Sequence, residues 1–261
     1  MGSRHVLKHG FLFAQGAATR LRAVVDTEPR FAGAFSTRDA ALASLPAAER
    51  AAYDRDDVAD VSLNMMSQIA LCDYPVLLWL DRLIRENHTL SLLDAGGHVG
   101  TKFLAFSDQL PLSQIDWAVW DLQALLKAGR QWQREGRLPK AIRFVDTPKD
   151  AGDVDLLLAS GLLQYLDISL TQLLGQMSRS PRYVILNKVA TWPDDEMVTL
   201  ELIGSARVPY RIRNKPAFEV ELAEAGYIIR DSWTIASLSH RIGTHPWLGA
   251  SESMGYFLER A

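Results

Sequence analysis

The stretch SLLDAGGHVGTKF, residues 91–103, places an acid between a run of apolar residues and a glycine-rich turn. Asp94 stands two residues before Gly96, and Gly97 and Gly100 follow it. A strand that passes through such a turn into a helix is typical of nucleoside and dinucleotide sites, because glycines permit close backbone approach and the helix start presents free N–H groups. The turn alone is a weak signal, since GGHVG departs from G-x-G-x-x-G.

Two acids indicate which nucleoside this turn would bind. A carboxylate at Asp94 would repel a pyrophosphate and would attract a cationic amino group. Asp121 follows Gly100 by 21 residues, at the end of WAVWD, where an acid can accept hydrogen bonds from ribose hydroxyls. A ligand with a ribose, a positive charge and no phosphate is S-adenosylmethionine. Either acid could instead cap the helix that follows it.

From Leu90 onward, short apolar runs alternate with stretches of helical spacing. This alternation predicts a parallel sheet with helices on both faces. The predicted strands are LSLLDAG, QIDWAVWD, AIRFVD, VDLLLAS, RYVILNKV, IIRDSWTI and MGYFLERA. We therefore predict an α/β sheet domain over residues 89–261, with two inserted segments, 190–214 and 237–252, that do not follow the alternation.

The N-terminal third is predicted to be helical and to form a cap or lid over residues 1–88. Ser36 and Thr37 precede RDAALASL, which is a plausible capped helix start. Further along, four apolar residues fall on one helical stripe. They are Leu77, Leu80, Leu83 and Ile84. Apolar helices of this kind could also pair two chains into a homodimer.

Composition narrows the classes of partner. The 261 residues include 28 basic and 31 acidic side chains, for a formal charge of -3, which gives no electrostatic reason to expect nucleic acid or an anionic membrane. Cys72 is the single cysteine, which excludes an internal disulfide framework and a cysteine-based zinc cluster, and we predict no metal site. A single cysteine fits a reducing compartment, so we predict a cytoplasmic protein. No apolar run nears the roughly 20 residues of a membrane span, so we predict no integral membrane segment.

Three stretches resemble class I S-adenosylmethionine-dependent methyltransferases: LLDAGGHVGTKF, VWDLQALLKAG and FVDTPKDAGDVDLLLASGLLQYL. They are most similar to a subgroup of methyltransferases often encoded near polysaccharide genes, and the resemblance covers about residues 70–261. It implies a Rossmann-like sheet of seven strands whose last strand, MGYFLERA, is antiparallel. The chain departs from the family pattern at His98, where many relatives have the middle glycine of D-x-G-x-G-x-G.

The resemblance also implies the residues that bind S-adenosylmethionine. The turn residues would surround the methionine part and the ribose, and the acid after the second strand would bind the ribose hydroxyls. The residues after the third strand would lie near the adenine, and those after the fourth near the transferred methyl group. The implied residues are Asp94, Gly96, Gly97, His98, Gly100, Asp121, Leu122, Asp146, Thr147, Ser160, Gly161 and Gln164.

Each of these assignments has a structural alternative. His98 could be a turn residue that tolerates an unusual backbone conformation. The pair Asp146 and Thr147 could form an ordinary turn before Pro148. Ser160 and Gly161 could end a buried strand, and Gln164 could pack rather than bind.

The acceptor of the methyl group is less clearly encoded. If the acceptor is a hydroxyl, a general base helps, and histidine serves most often. His240 and His245 stand beside aromatic and basic residues in SLSHRIGTHPW, although both could be packing residues. In RVPYRIRNK, Tyr210, Arg211 and Arg213 could receive an anionic acceptor such as a sugar acid, or could belong to an exposed strand.

The leading prediction is an S-adenosylmethionine-dependent methyltransferase acting on a small-molecule or saccharide acceptor, with a hydroxyl as the methylated group. A nicotinamide-dependent oxidoreductase shares the glycine turn and the distal acid, but Asp94 and the incomplete fingerprint argue against it. A non-catalytic S-adenosylmethionine-binding protein is the third alternative, because His98 departs from the pattern and no base is evident.

Overall fold

The computed structural model describes residues 28–46, 67–204 and 206–261. The strands in these ranges are β1 Phe31–Phe35, β2 Leu90–Ala95, β3 Ile115–Trp120, β4 Ile142–Phe144, β5 Leu156–Ser160, β6 Tyr183–Trp192, β7 Met197–Ile203, β8 Ala206–Asn214, β9 Tyr227–Thr234 and β10 Glu252–Arg260. The α-helices are α1 Arg38–Ala43, α2 Tyr74–Asn87, α3 Thr101–Ala105, α4 Gln123–Arg134, α5 Leu170–Gly175 and α6 Lys215–Glu224.

The chain divides into two compact units that interleave along the sequence. Among the described residues, unit 1 comprises 28–46, Ala190–Phe218 and Ala236–Ser253. Unit 2 comprises 67–189, Glu219–Ile235 and Met254–Ala261. Both segments that the sequence singles out as insertions fall in unit 1. The cap or lid role predicted for residues 1–88 stays a prediction.

Unit 2 contains the predicted Rossmann-like sheet. Its strands are ordered β4-β3-β2-β5-β6-β10-β9. The pairs β2–β3, β2–β5, β3–β4 and β5–β6 are parallel, whereas β10 runs antiparallel to β9. These are the seven predicted strands, and the last of them, in MGYFLERA, is antiparallel as expected. Since β3 and β5 lie on opposite sides of β2, the strand order reverses there and opens a crevice at the carboxyl end of β2.

The apolar stripe on α2 packs against this sheet. Leu77, Leu80, Leu83 and Ile84 are all buried, and they belong to one core cluster with residues of β2, β3, β5, β6 and β10. Trp117 of β3 is fully buried in the same cluster, where Phe103 and Phe106 meet it edge to face. The helical period of 3.6 therefore predicted both the helix and the face that it buries.

Unit 1 corrects two expectations. Residues 31–35, which lie in the stretch predicted to be helical, form β1, and β1 pairs antiparallel with β7, which pairs antiparallel with β8. Segment 190–214 is thus largely a hairpin, so the described chain has three strands beyond the predicted seven. The predicted helix start is confirmed: Thr37 caps α1 and accepts a hydrogen bond from the Ala40 N–H at 3.1 Å.

β7 is buried on both of its faces. Val198 and Leu200 pack on α1, while Thr199 on the other face is also buried and donates to the carbonyl of Gly33 at 2.8 Å. Glu201 is buried as well, and it accepts two hydrogen bonds from Arg30. Because these buried positions carry polar residues, β7 does not show the continuous apolar run that is typical of a strand buried on both faces.

None of the helices in the described part of the chain combines the length and the apolarity that crossing a bilayer requires.

Candidate functional site

The glycine turn joins β2 to α3 at the carboxyl end of β2. Gly96 has a φ of 74°, and its N–H donates to the Trp120 carbonyl at 2.8 Å, which ties the turn to β3. Gly100 caps α3 with a φ of 87°. A Cβ on Gly97 would lie only 2.6 Å from Cγ of Asp94. The turn is therefore packed directly against the Asp94 carboxylate, and only glycine fits these backbone positions without displacement.

Asp94 carries a carboxylate that burial makes difficult to ionise. Its side chain is 1% exposed, and Oδ2 accepts a hydrogen bond from Nε1 of Trp117 at 3.2 Å. Burial raises the pKa of Asp94 to about 7, while the hydrogen bond from Trp117 and the positive charge of Lys102 act in the opposite direction. A bound cation would restore the charge that burial removes.

Asp121 holds the turn from the neighbouring strand. One carboxylate oxygen accepts from the His98 N–H and the other from the Leu122 N–H, both at 2.7 Å. His98 is buried and adopts a φ of 56°. This φ lies in the left-handed region, which favours glycine, and the Asp121 hydrogen bond holds the His98 backbone there. Burial raises the pKa of Asp121, and the two N–H donors lower it.

The residues after β4 are engaged with their neighbours. Asp146 pairs with Arg130 at 2.9 Å, and Arg130 also donates to the Phe144 carbonyl. Thr147 caps the short helix Pro148–Ala151, and Asp150 bonds back to the Thr147 N–H at 2.9 Å. The turn alternative therefore describes the local geometry, and proximity of this pair to an adenine stays a prediction.

The residues after β5 lie beside β6 at the same carboxyl edge as the turn. Ser160 Oγ accepts from Nδ2 of Asn187 at 3.3 Å, and the Gly161 N–H donates to the Asn187 carbonyl at 2.8 Å. Gly161 has a φ of 78°. Gln164 is buried, and its Oε1 has no hydrogen-bond partner among the residues that the structure describes.

Several residues of this region were not predicted. Trp117 contacts Asp94. Asn187 connects β5 and β6, and the Oδ1 atom of Asn187 accepts a hydrogen bond from Nε1 of Trp233 at 3.1 Å. Asp73 forms a buried ion pair with Lys102 at 2.7 Å. Lys102 directly follows the turn in sequence, so its position was a usable signal. Asp73 lies 29 residues from Lys102, and no sequence pattern indicated that the two residues would meet.

The predicted acceptor and base residues all lie in unit 1, whereas the predicted cofactor residues lie in unit 2. The His240 ring packs on Phe31, with centroids 4.5 Å apart, and meets Tyr210 edge to face. Burial, assisted by the positive charge of Arg30, lowers the pKa of His240 to about 4. His245 hydrogen-bonds through Nδ1 to Thr244 Oγ1 at 2.8 Å.

The basic residues of β8 are largely enclosed within unit 1. Arg213 is 3% exposed and lies over the ring of Phe218, and Tyr210 is 4% exposed. Arg211 pairs with Glu196 at 3.5 Å. Their role in acceptor binding stays a prediction. No group of three or more His, Cys, Asp or Glu side chains in the described ranges is arranged to hold a metal ion.

Comparison with known proteins identifies solved methyltransferases of low sequence identity. The sequence matches no protein-family model, and no curated protein matches it. The 1,6-didemethyltoxoflavin-N1-methyltransferase of Burkholderia thailandensis, solved with 1,6-didemethyltoxoflavin and S-adenosylhomocysteine, is 17% identical over 73% of this chain and 79% of its own, with a TM-score of 0.47. The glycopeptide N-methyltransferase MtfA, solved with S-adenosylhomocysteine, is 13% identical over 74% of this chain and 92% of its own, with a TM-score of 0.49.

A third structure of this kind is the magnesium protoporphyrin IX methyltransferase ChlM from Synechocystis with bound S-adenosylmethionine. It is 15% identical over 72% of this chain and 77% of its own, with a TM-score of 0.45. These likenesses are too distant to define the site. The candidate site is therefore defined by the strand order of this chain and by the contacts of its glycine turn, Asp94 and Asp121.

Proposed function

We propose that the protein is an S-adenosylmethionine-dependent methyltransferase that methylates a small-molecule or saccharide acceptor at a hydroxyl group. The observation that carries this proposal is the buried carboxylate of Asp94, which faces the glycine turn at the carboxyl end of β2. β2 is the strand at which the order β4-β3-β2-β5-β6-β10-β9 reverses. A buried acid at a nucleoside-type turn favours a cationic ligand over a pyrophosphate.

The charges of Asp94 and Asp121 and the close packing of the glycine turn fit this cofactor. When bound, S-adenosylmethionine supplies an electrophilic methyl group. Asp94 would then be ionised by the positive charge of the ligand. Asp121 uses each carboxylate oxygen once, for the His98 and Leu122 N–H groups, and keeps lone pairs for two ribose hydroxyls. The close packing at Gly97 keeps the turn backbone near the ligand.

The protein's remaining task is to orient the acceptor and to exclude water. The Gln164 Oε1 atom, buried at the end of β5, can accept a hydrogen bond from an acceptor hydroxyl. His240 and His245 remain our proposed bases, and Tyr210, Arg211 and Arg213 our proposed acceptor residues. With a pKa of about 4, His240 is unprotonated at neutral pH but is a weak proton acceptor, which makes it a poor general base.

Isothermal titration calorimetry tests the cofactor assignment directly. We expect the purified protein to bind S-adenosylhomocysteine and S-adenosylmethionine with micromolar affinity and to bind neither NAD⁺ nor NADH. Preferential binding of the nicotinamide cofactors would support the oxidoreductase alternative and overturn the proposal. Transfer of a radiolabelled methyl group from S-adenosylmethionine to a hydroxylated acceptor, with release of S-adenosylhomocysteine, separates an enzyme from a non-catalytic binding protein.

A further inference from the structure

One carboxylate oxygen of Asp73 is buried and takes part in none of the hydrogen bonds of the candidate site. The residue is 0% exposed. Its Oδ2 accepts hydrogen bonds from Lys102 Nζ at 2.7 Å and from the Ala70 N–H at 3.0 Å. Its Oδ1 is buried and has no hydrogen-bond partner in the described ranges of the chain. An unpaired oxygen on a buried carboxylate is costly, so its presence calls for an explanation.

The contacts of this segment place Asp73 beside the candidate site. Lys102, its ion-pair partner, lies in the first turn of α3, directly after the glycine turn. The carbonyl of the preceding residue, Cys72, accepts a hydrogen bond from Asn187 Nδ2 at 3.1 Å, and the same Nδ2 reaches Ser160 Oγ. Asp73 is therefore held between the glycine turn and the carboxyl ends of β5 and β6.

The Oδ1 atom of Asp73 is a hydrogen-bond acceptor, so a ligand group that binds it must be a donor. Lys102 and the Ala70 N–H both bind Oδ2, so the lone pairs of the buried Oδ1 are not used by these contacts. Charge-assisted hydrogen bonds from an ammonium group to a carboxylate are stronger than those from neutral donors. A ligand ammonium group is thus the best-matched partner, and α-amino acids carry one.

We propose that Oδ1 of Asp73 binds the α-amino group of the amino-acid end of S-adenosylmethionine. This inference rests on the function proposed above and adds a residue that the glycine turn and the strand order do not reveal. Asp94 and Asp73 then share the cationic end of the ligand: Asp94 acts from β2, and Asp73 acts from the segment that leads into α2.

Three ligands separate the amino group from the rest of the molecule. S-adenosylhomocysteine carries the amino and carboxylate groups, S-adenosyl-3-thiopropylamine keeps only the amino group, and 5′-methylthioadenosine lacks both. In calorimetry, we expect Asp73→Asn to weaken binding of the first two at least about tenfold and to leave the third within about twofold. Equal weakening of all three, or of none, would overturn the assignment.

Asp81→Asn is the matched control, because Asp81 lies on α2 and pairs with Arg85 at the helix surface. We expect this variant to bind all three ligands as tightly as the unmodified protein does. If it loses S-adenosyl-3-thiopropylamine as Asp73→Asn does, the loss is not specific to the buried oxygen of Asp73 and the inference fails. If the unmodified protein binds none of the three ligands, the proposed function itself fails, which is a distinct outcome.

Discussion

Nε1 of Trp117 donates a hydrogen bond to Oδ2 of Asp94 across 3.2 Å, and both side chains are buried in unit 2. This bond favours the ionised carboxylate, whereas burial favours the neutral acid and dominates. The pKa of Asp94 therefore lies at about 7. Its charge changes within the range of pH in which a cell operates, and the cofactor proposal depends on that charge.

Asp94→Asn should weaken cofactor binding and stabilise the ligand-free protein. The amide cannot attract a cation, so we expect at least about a tenfold loss of affinity for S-adenosylmethionine. Without ligand at pH 8, the variant avoids a buried charge, which raises the free energy of unfolding by up to ~4 kcal/mol. Calorimetry and urea denaturation measure the two effects. Asp108→Asn, at an exposed position, should change neither.

Binding of S-adenosylmethionine should strengthen as the pH rises from 6 to 8. The ligand requires ionised Asp94, which is mostly protonated below its pKa of about 7, so we expect about a tenfold gain in affinity over this range. Calorimetry at pH 7 in buffers of different ionisation enthalpy should also detect release of a proton on binding. A flat affinity profile in the unmodified protein would contradict the role of Asp94.

Trp117→Phe tests the hydrogen bond between Trp117 and Asp94. Phenylalanine keeps an aromatic ring in the cluster with Phe103 and Phe106 but has no N–H donor. Because that donor lowers the pKa of Asp94, we expect the pH midpoint of cofactor binding to move upward in the variant. Repeating the pH series by calorimetry measures the shift. A lower affinity with an unmoved midpoint would instead indicate a packing defect.

The part of this molecule that the sequence predicts well is encoded at short range. The acid, the three glycines and the helix start around Asp94 lie within 13 residues, so the whole pattern can be read in one short window. The central strands β2, β3, β5 and β6 are bounded by turns and have the apolar composition of buried parallel strands. Even the departure at His98 was readable as a turn residue, and its φ of 56° agrees.

Other features depend on contacts between distant segments. β1 pairs with β7, and Arg30 meets Glu201 from 171 residues away, a relation that no local pattern displays. A hairpin signal was nevertheless present, because apolar residues alternate on both sides of Gly204. The pairing of Asp73 with Lys102 likewise becomes visible only when α2 and α3 are packed together.

Gly97→Ala should disturb the site without removing any charge. The added Cβ would lie 2.6 Å from Cγ of Asp94, so the carboxylate or the turn must move. We expect a cost of about 1–3 kcal/mol in unfolding free energy, with weaker cofactor binding. Gly175→Ala, where an added Cβ meets nothing within 4 Å, should be neutral or slightly stabilising. Equal behaviour of the two variants in thermal unfolding would contradict the packing described here.

His240→Phe should make unit 1 less sensitive to acid. The His240 ring packs between Phe31 and Tyr210, and its burial lowers the pKa to about 4, below the ordinary value of 6.5. As the pH falls through 6.5, the unfolded chain binds a proton that the folded chain binds only near pH 4, so stability declines across this window. Phenylalanine keeps the aromatic packing and cannot titrate.

The measurement for this variant is the thermal midpoint at pH 4.5 and at pH 7.5. We expect the difference between variant and unmodified protein to favour the variant more strongly at pH 4.5. His88→Asn is the control, because His88 is exposed and ends α2 at a φ of 61°, a conformation that asparagine tolerates. If both variants show the same pH dependence, the ring of His240 is not held in its neutral form by its surroundings.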